Sequence, residues 1–258
     1  MIDPRIENRP QIDKCRSHNR DYFTFGEASS YATDVYLTGV KICDTPSRDV
    51  SVYSVPGRNG DIILDNGRWK NLDVTYSCAI ATNFDSKFAK FKSAMLNQVG
   101  YKKLWDTIHP ETYRKAILKD PIHVDTSRKN FTGRFDITFN CKPQRFLLYG
   151  DEPTTLYEPR SLHNKYGTVA LPTIIVYGSG PCTLTVGDTT VEIKELDNRI
   201  YLDSDTKNAY RPVNGASVVN LNHTIHAYKF PELVPGENMI SWTGDVTCVA
   251  VAPRWWIL

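Results

Sequence analysis

Acid, histidine and cysteine side chains are where chemistry would start, and this chain of 258 residues offers several short groupings of them. Asp203-Ser204-Asp205-Thr206-Lys207-Asn208 opens like a calcium loop, in which alternate residues present oxygen to a hard cation. Lys207 stands where the third oxygen ligand belongs, Asn208 replaces the turn glycine and Asn214 fills position twelve, so a polar turn is expected. His223-Thr224-Ile225-His226 has metal-ligand spacing only on a helix, and this segment lacks helical periodicity. On a strand, residues three apart point to opposite faces. His109-Pro110-Glu111 joins a base to an acid, but no nucleophile motif accompanies it. Gly178-Ser179-Gly180 lacks the Lys-Ser or Lys-Thr step and the following helix that a phosphate cradle needs. Cys15, Cys43, Cys78, Cys141, Cys182 and Cys248 are scattered without a C-x-x-C pair, which suits reduced structural thiols. Catalytic, metal and cofactor sites are therefore all assigned as none. The pair Trp255-Trp256 is a weak candidate for stacking on a sugar ring, with core packing of at least one indole the default.

Composition narrows the function classes further. Lysine plus arginine number 31 against 29 acidic residues, a formal charge of +2, which does not make the broad basic face that nucleic-acid binding requires. A hydrophobic share of 41% with 23% charged residues is that of a soluble globular protein. No run approaches the roughly 18 apolar residues of a membrane span, so no membrane insertion is expected. The first residues carry no apolar core of signal-peptide length, which predicts synthesis and folding in a cytosol.

The elements that would carry any site are mostly strands. Tyr22–Phe25, Val35–Leu37, Val50–Val55 and Asn71–Ala81 are rich in β-branched and aromatic residues, and the last alternates clearly. The period then changes: Phe84, Phe88, Phe91 and Met95 lie on one helical face with Lys87, Lys90 and Lys92 outward, predicting a helix over about 84–99. Asn83 or Asp85 is its expected cap and Gly100 the left-handed residue past its end. Tyr101–Asp106 and Tyr113–Lys119 read as strands, and Phe131–Cys141 as a central one. Four prolines and weak periodicity over 142–172 suggest a linker or domain seam, so domains 1–148 and 149–258 are expected. Beyond it, Thr173–Tyr177, Cys182–Val186, Thr190–Ile193, Ile200–Leu202, Met239–Trp242 and Val246–Val251 are short runs at sandwich-like intervals. The fold class is mainly β: an N-terminal β-sandwich-like module with one α-helix and a hairpin, then a C-terminal β-sandwich.

One block stands out. Val55 to Asn71 holds a Pro-Gly and two Asn-Gly steps around Ile62, Ile63 and Leu64, which predicts a rigid, polar, twice-turned loop about a short apolar core. Its Pro56-Gly57-Arg58-Asn59-Gly60-Asp61 and Asp65-Asn66-Gly67-Arg68 strings resemble the N-terminal domain of siphophage distal tail proteins, the Dit family. Three more stretches fit in order: Tyr36–Val40 with Pro46–Val50, Gly100–Thr107 with His109–Arg114, and Pro235–Gly244 with Pro253–Trp256. The match spans roughly residues 22–258; Met1 to Arg20 lie outside it.

The resemblance implies a virion protein of the tail tip. It implies a homohexameric ring, a baseplate hub joining the major tail tube protein on one face to a tail-associated tip or baseplate protein on the other. Its galectin-like C-terminal domains would carry receptor-binding proteins for host attachment. Within that expectation, Arg58, Asn59, Asp61, Asp65, Asn66 and Arg68 are the candidate subunit-interface residues, because carboxylate and guanidinium groups can set register across a neighbour. The competing function is a carbohydrate-binding module for host cell-wall adhesion, resting on Trp255 and Trp256. An enzyme is not expected.

Overall fold

The computed structural model describes residues 20–42, 45–125, 132–213 and 217–258, which divide into two compact units, one up to Arg145 and one from Phe146 to Ile257. Alternation builds the first unit. Strand β1 covers Phe23–Phe25, β2 Ala28–Ser29, β3 Tyr36–Ile42, β4 Arg48–Tyr53, β5 Ile62–Trp69 and β6 Leu72–Ile80. After the helix α1, Phe84–Leu96, come β7 Lys102–Asp106, β8 Thr112–Ile117, β9 His123–Asp125 and β10 Gly133–Leu147. The main sheet runs β2-β1-β7-β8-β10-β6-β3, with β9 also paired to β10.

The antiparallel pair β6 and β10 is its centre, registered from Gly133 opposite Ile80 to Cys141 opposite Leu72. Val74, Tyr76 and Cys78 from one strand and Phe135, Ile137, Phe139 and Cys141 from the other are buried on a single face, as the period of two requires. Against them α1 lays Phe84, Phe91 and Met95. Phe88 and Phe91 meet Phe135 at ring separations of 5.0 and 5.3 Å. Gly133 makes this docking possible, because a Cβ there would lie 2.2 Å from the Phe84 ring.

The helix is shorter than its periodicity suggested, ending at Leu96. Asn83 occupies the cap position in a left-handed conformation but gives no side-chain hydrogen bond; its carbonyl accepts the Lys87 amide instead. Gly100 does take a positive φ of 75°, four residues past the last helical residue. Phe131 lies outside the described residues.

The second unit contains β11 Thr154–Leu156, β12 Arg160–Asn164, β13 Thr173–Val186, β14 Thr189–Asp203, β15 Asn208–Pro212, β16 Val218–Asn220, β17 Ile225–Ala227, β18 Gly236–Ala252 and the short β19 Trp256–Ile257. Pairing runs β11-β18-β13-β14-β15-β16, with β12 on β18 and β17 on β14. Runs expected as separate short strands are here halves of three long ones, β13, β14 and β18. Each half contributes to one shared core: Ile174, Val176, Ile200, Val249 and Val251 from one end, Leu184, Val186, Val191, Ile193 and Ile240 from the other. Strands that pass from one layer to the other must bend, and the bend is a bulge. The register shifts between Gly180 and Cys182, where Gly180 has φ of 70°, and Gly244 beside it has φ of 94°. A Cβ on Gly244 would sit 2.6 Å from the Pro181 carbonyl oxygen.

The expected linker over 142–172 is not irregular chain. It holds the end of β10, a 3-10 turn at Leu148–Gly150 and the strands β11 and β12. Pro153, Pro159 and Pro172 each stand one residue before a strand, where a missing N–H costs no ladder bond. Three of the four prolines mark strand starts rather than a tether, and the division between the two units falls within this stretch, at Arg145 and Phe146.

Candidate functional site

Among the described residues, strands β4 and β5 pair only with each other, forming a two-stranded sheet apart from the two larger ones. Their ladder puts Val52 opposite Ile63, Tyr53 opposite Ile62 and Ser51 opposite Leu64. The hairpin has a polar tip, an apolar shaft and an ionic root.

At the tip, Arg58 and Asn59 occupy the reversal between Tyr53 and Ile62, with Gly57 and Gly60 both at φ of 81°. Asp61 accepts the Ser54 hydroxyl across the turn. The hydrogen-bonded turn is Val55-Pro56-Gly57-Arg58, closed by the Arg58 amide on the Val55 carbonyl at 3.2 Å, and the first Asn-Gly step forms only a bend after it. The second lies inside a strand. Arg48 lies opposite Trp69 and Val50 opposite Asp65, so Asn66, Gly67 and Arg68 together face Asp49 alone. This is a bulge inside β5, with Gly67 at φ of 70° and its N–H donating to Asp65 Oδ1 at 2.8 Å.

The root gathers the charged residues. Arg48 forks onto Asp65, with Nε 2.9 Å and Nη2 2.8 Å from Oδ2, and its guanidinium lies 4.9 Å over the Trp69 ring. Arg68 Nε reaches Asp49 Oδ2 at 2.6 Å, and Lys70 Nζ lies 3.6 Å from Oδ1. Asn66 also hydrogen-bonds the Asp49 side chain. Of the six residues singled out by sequence, Asp65, Asn66 and Arg68 therefore act within the hairpin, holding its root. Arg58, Asn59 and Asp61 remain at the tip.

Both carboxyls sit below the ordinary carboxylate range: Asp49 chiefly through the hydrogen bond from Arg68, Asp65 through that from Arg48 and then the Gly67 N–H. A depressed folded-state pKa gives stabilisation that is complete above the unfolded value, about 4, and is lost as pH falls through the folded one. Amide exchange over residues 48–53 and 62–69, corrected for intrinsic rates, should stay constant from pH 7 to 5 and accelerate below about pH 4, while β6 and β10 stay protected. Unchanged protection down to about pH 3 would mean that these pairs do not hold the root.

The shaft corrects one expectation. Ile62, Ile63 and Leu64 form no internal core: their exposures are 42%, 67% and 55%, and Val52 and Tyr53 are each 55% exposed. Among the described residues nothing covers either face of this two-stranded ribbon, so three successive apolar residues are open on both. That run was the available sequence signal, since a solvated hairpin would alternate with polar residues. A contiguous apolar surface of this kind marks an interaction site, and an isolated hairpin is marginal in water until something packs on it.

The remaining candidates are occupied structurally. Asp203 is held by Arg254 through a fork at 2.8 and 3.1 Å and accepts the Asp205 amide, so its oxygens serve the chain itself. His223 lies in a 3-10 turn and His226 on β17, opposite Glu192. Trp255 is 8% exposed within the second core, and the half-buried Trp256 donates its indole N–H to Val169. The twin is no open sugar platform. Among the described residues Cys78, Cys141, Cys182 and Cys248 are free. Burial pushes the Cys78 and Cys141 thiols up, the latter to about 12, which leaves them as small hydrophobes. No group of three metal-ligating side chains occurs among the described residues, and no helix there is long and apolar enough to cross a membrane.

No protein-family model and no curated protein sequence matches this chain. Its structure does have counterparts. The SPP1 Dit protein, described as a paradigm of the hub adsorption apparatus in phages that infect Gram-positive bacteria, superposes with a TM-score of 0.66 over 92% of this chain and 99% of its own, at 10% identity. With both units and nearly the whole counterpart covered, the fold of this chain is that of a Dit-like distal tail protein.

Proposed function

We propose that this chain is a structural hub of the tail tip of a long, non-contractile-tailed phage. Six copies close into a ring between the tail tube protein and a tip or baseplate protein, and the second unit offers a place for receptor-binding proteins. Fold alone does not assign function, so the observation that carries the reading is the hairpin with its uncovered Val52, Tyr53, Ile62, Ile63 and Leu64. A ring closes through a heterologous contact, in which each subunit offers one surface and receives another. A hairpin with an apolar shaft is such an offered surface. Arg58, Asn59 and Asp61 at its tip supply polar groups that fix register, while Arg48, Asp49, Asp65 and Arg68 keep the root stiff enough to present it. Such a role requires no reaction, cofactor or metal.

Virions of the encoding phage labelled with gold-conjugated antibody against the chain should carry gold at the distal end of the tail. Gold along the tube or on the head, or its absence from the particle, would refute the assignment.

A further inference from the structure

In the first unit a polar cavity of about 20 Å³ lies under the main sheet. Its apolar floor is Val74 and Leu104; Asp106, Arg114 and Arg145 bring charge to its wall. Leu104 stands opposite Arg114 in the β7–β8 ladder, so Asp106 and Arg114 share the inward face. Asp106 is nonetheless engaged elsewhere. Its Oδ2 accepts the Tyr76 hydroxyl at 2.7 Å, and Oδ1 accepts the His109 amide at 2.7 Å and faces the His109 ring Nδ1 at 3.2 Å.

Arg114 is 6% exposed. Its Nη1 makes one long bond, 3.4 Å, to the Pro143 carbonyl, and its Nη2 has no acceptor among the described residues. Leaving a buried charged donor unsatisfied is costly. Burial and then the neighbouring Arg145 push Arg114 below the ordinary guanidinium range. Two guanidinium groups thus face one carboxylate, the only one among the described residues lining the cavity, and the wall they form has a positive charge without a counter-charge. The volume admits one small guest, since about 10–15 Å³ suffices for a water. A water would accept from Nη2 but leave the charge unbalanced. An anion does both.

We infer that this cavity is a site for a single monovalent inorganic anion of chloride size, held by Arg114 Nη2 and Arg145. It ties β8 to the end of β10 and does not depend on the ring. The test is diffraction from crystals of the full chain grown in sodium bromide, recorded at the bromine edge. An anomalous peak within hydrogen-bonding reach of Arg114 Nη2 is expected. Water-sized density without anomalous signal there overturns the site.

Melting in sodium chloride and in sodium gluconate of equal ionic strength gives the second readout, because gluconate is too bulky to enter. Chloride at a hundred times its dissociation constant should shift the folding equilibrium roughly 100-fold. Arg145→Gln, at a half-buried position, should fold, melt no lower than the parent in gluconate, and lose both the peak and the chloride dependence. Equal melting of the parent in the two salts, even with a bromide peak, would mean an adventitious ion and count against the proposal.

Discussion

Under the proposed ring, aspartate at both Ile63 and Leu64 should yield a folded protein that does not assemble. Neither side chain contributes to a core: they are 67% and 55% exposed and face Val52 and Ser51 across the hairpin. Folding therefore loses little, and far-ultraviolet circular dichroism and the melting profile should match the parent. Association loses much. Covering a large aliphatic side chain contributes about 1.5–3 kcal/mol, so two per contact amount to two to four orders of magnitude, roughly, in each dissociation constant. Placing carboxylates in an apolar contact adds to that. Sedimentation velocity should show only monomer at concentrations where the parent assembles. Arg58→Glu alone should weaken assembly less, since the tip sets register more than affinity. Full assembly of the double aspartate variant would remove the shaft from the interface.

Phe139→Ala should have the largest effect on stability. Phe139 is fully buried, with ring centroids 5.4 Å from Phe23, 4.9 Å from Phe25 and 6.0 Å from Tyr76, so its loss empties the middle of the first core. Phenylalanine truncations of this kind cost about 3–5 kcal/mol, combining lost transfer free energy and the residual cavity. The second unit has its own core, built on Ile174, Leu184, Ile200 and Val249. In denaturant, the transition of the first unit should move to lower concentration while the second stays in place, a departure from two-state unfolding that two cores lead one to expect. A loss below about 1 kcal/mol would mean that the aromatic cluster repacks.

Where burial is one-sided and periodic, the fold could be read from the chain. Leu72–Cys78 and Gly133–Cys141 alternate residue by residue, and Phe84, Phe91 and Met95 repeat at helical spacing, because each element presents one face to one core. Where two layers share a strand, local pattern was not enough. Thr173–Tyr177 and Cys182–Val186 look like two strands because Gly178 to Pro181 interrupts the period, yet the interruption is the bulge that carries β13 from one layer to the other.

The hairpin shows the same limit at the site. Asn59-Gly60 encodes a tight turn but forms only a bend, while Pro56-Gly57 makes the hydrogen-bonded turn. Asn66-Gly67 carries the same local preference, but pairing of Arg48 with Asp65 and of Asp49 with Arg68 draws it into a strand as a bulge. Contacts seventeen and nineteen residues apart decided that outcome. The exposure of Ile62, Ile63 and Leu64 also escaped a reading based on sequence, since a short apolar run is ordinarily covered by its own chain.

The central claim is that the chain works by closing on copies of itself, and native mass spectrometry of the purified full-length protein tests it most directly. Across rising concentration, alone and then with the tail tube protein, it should show one dominant assembly of six chains. A single-chain mass throughout, with and without the tube protein, would contradict the account.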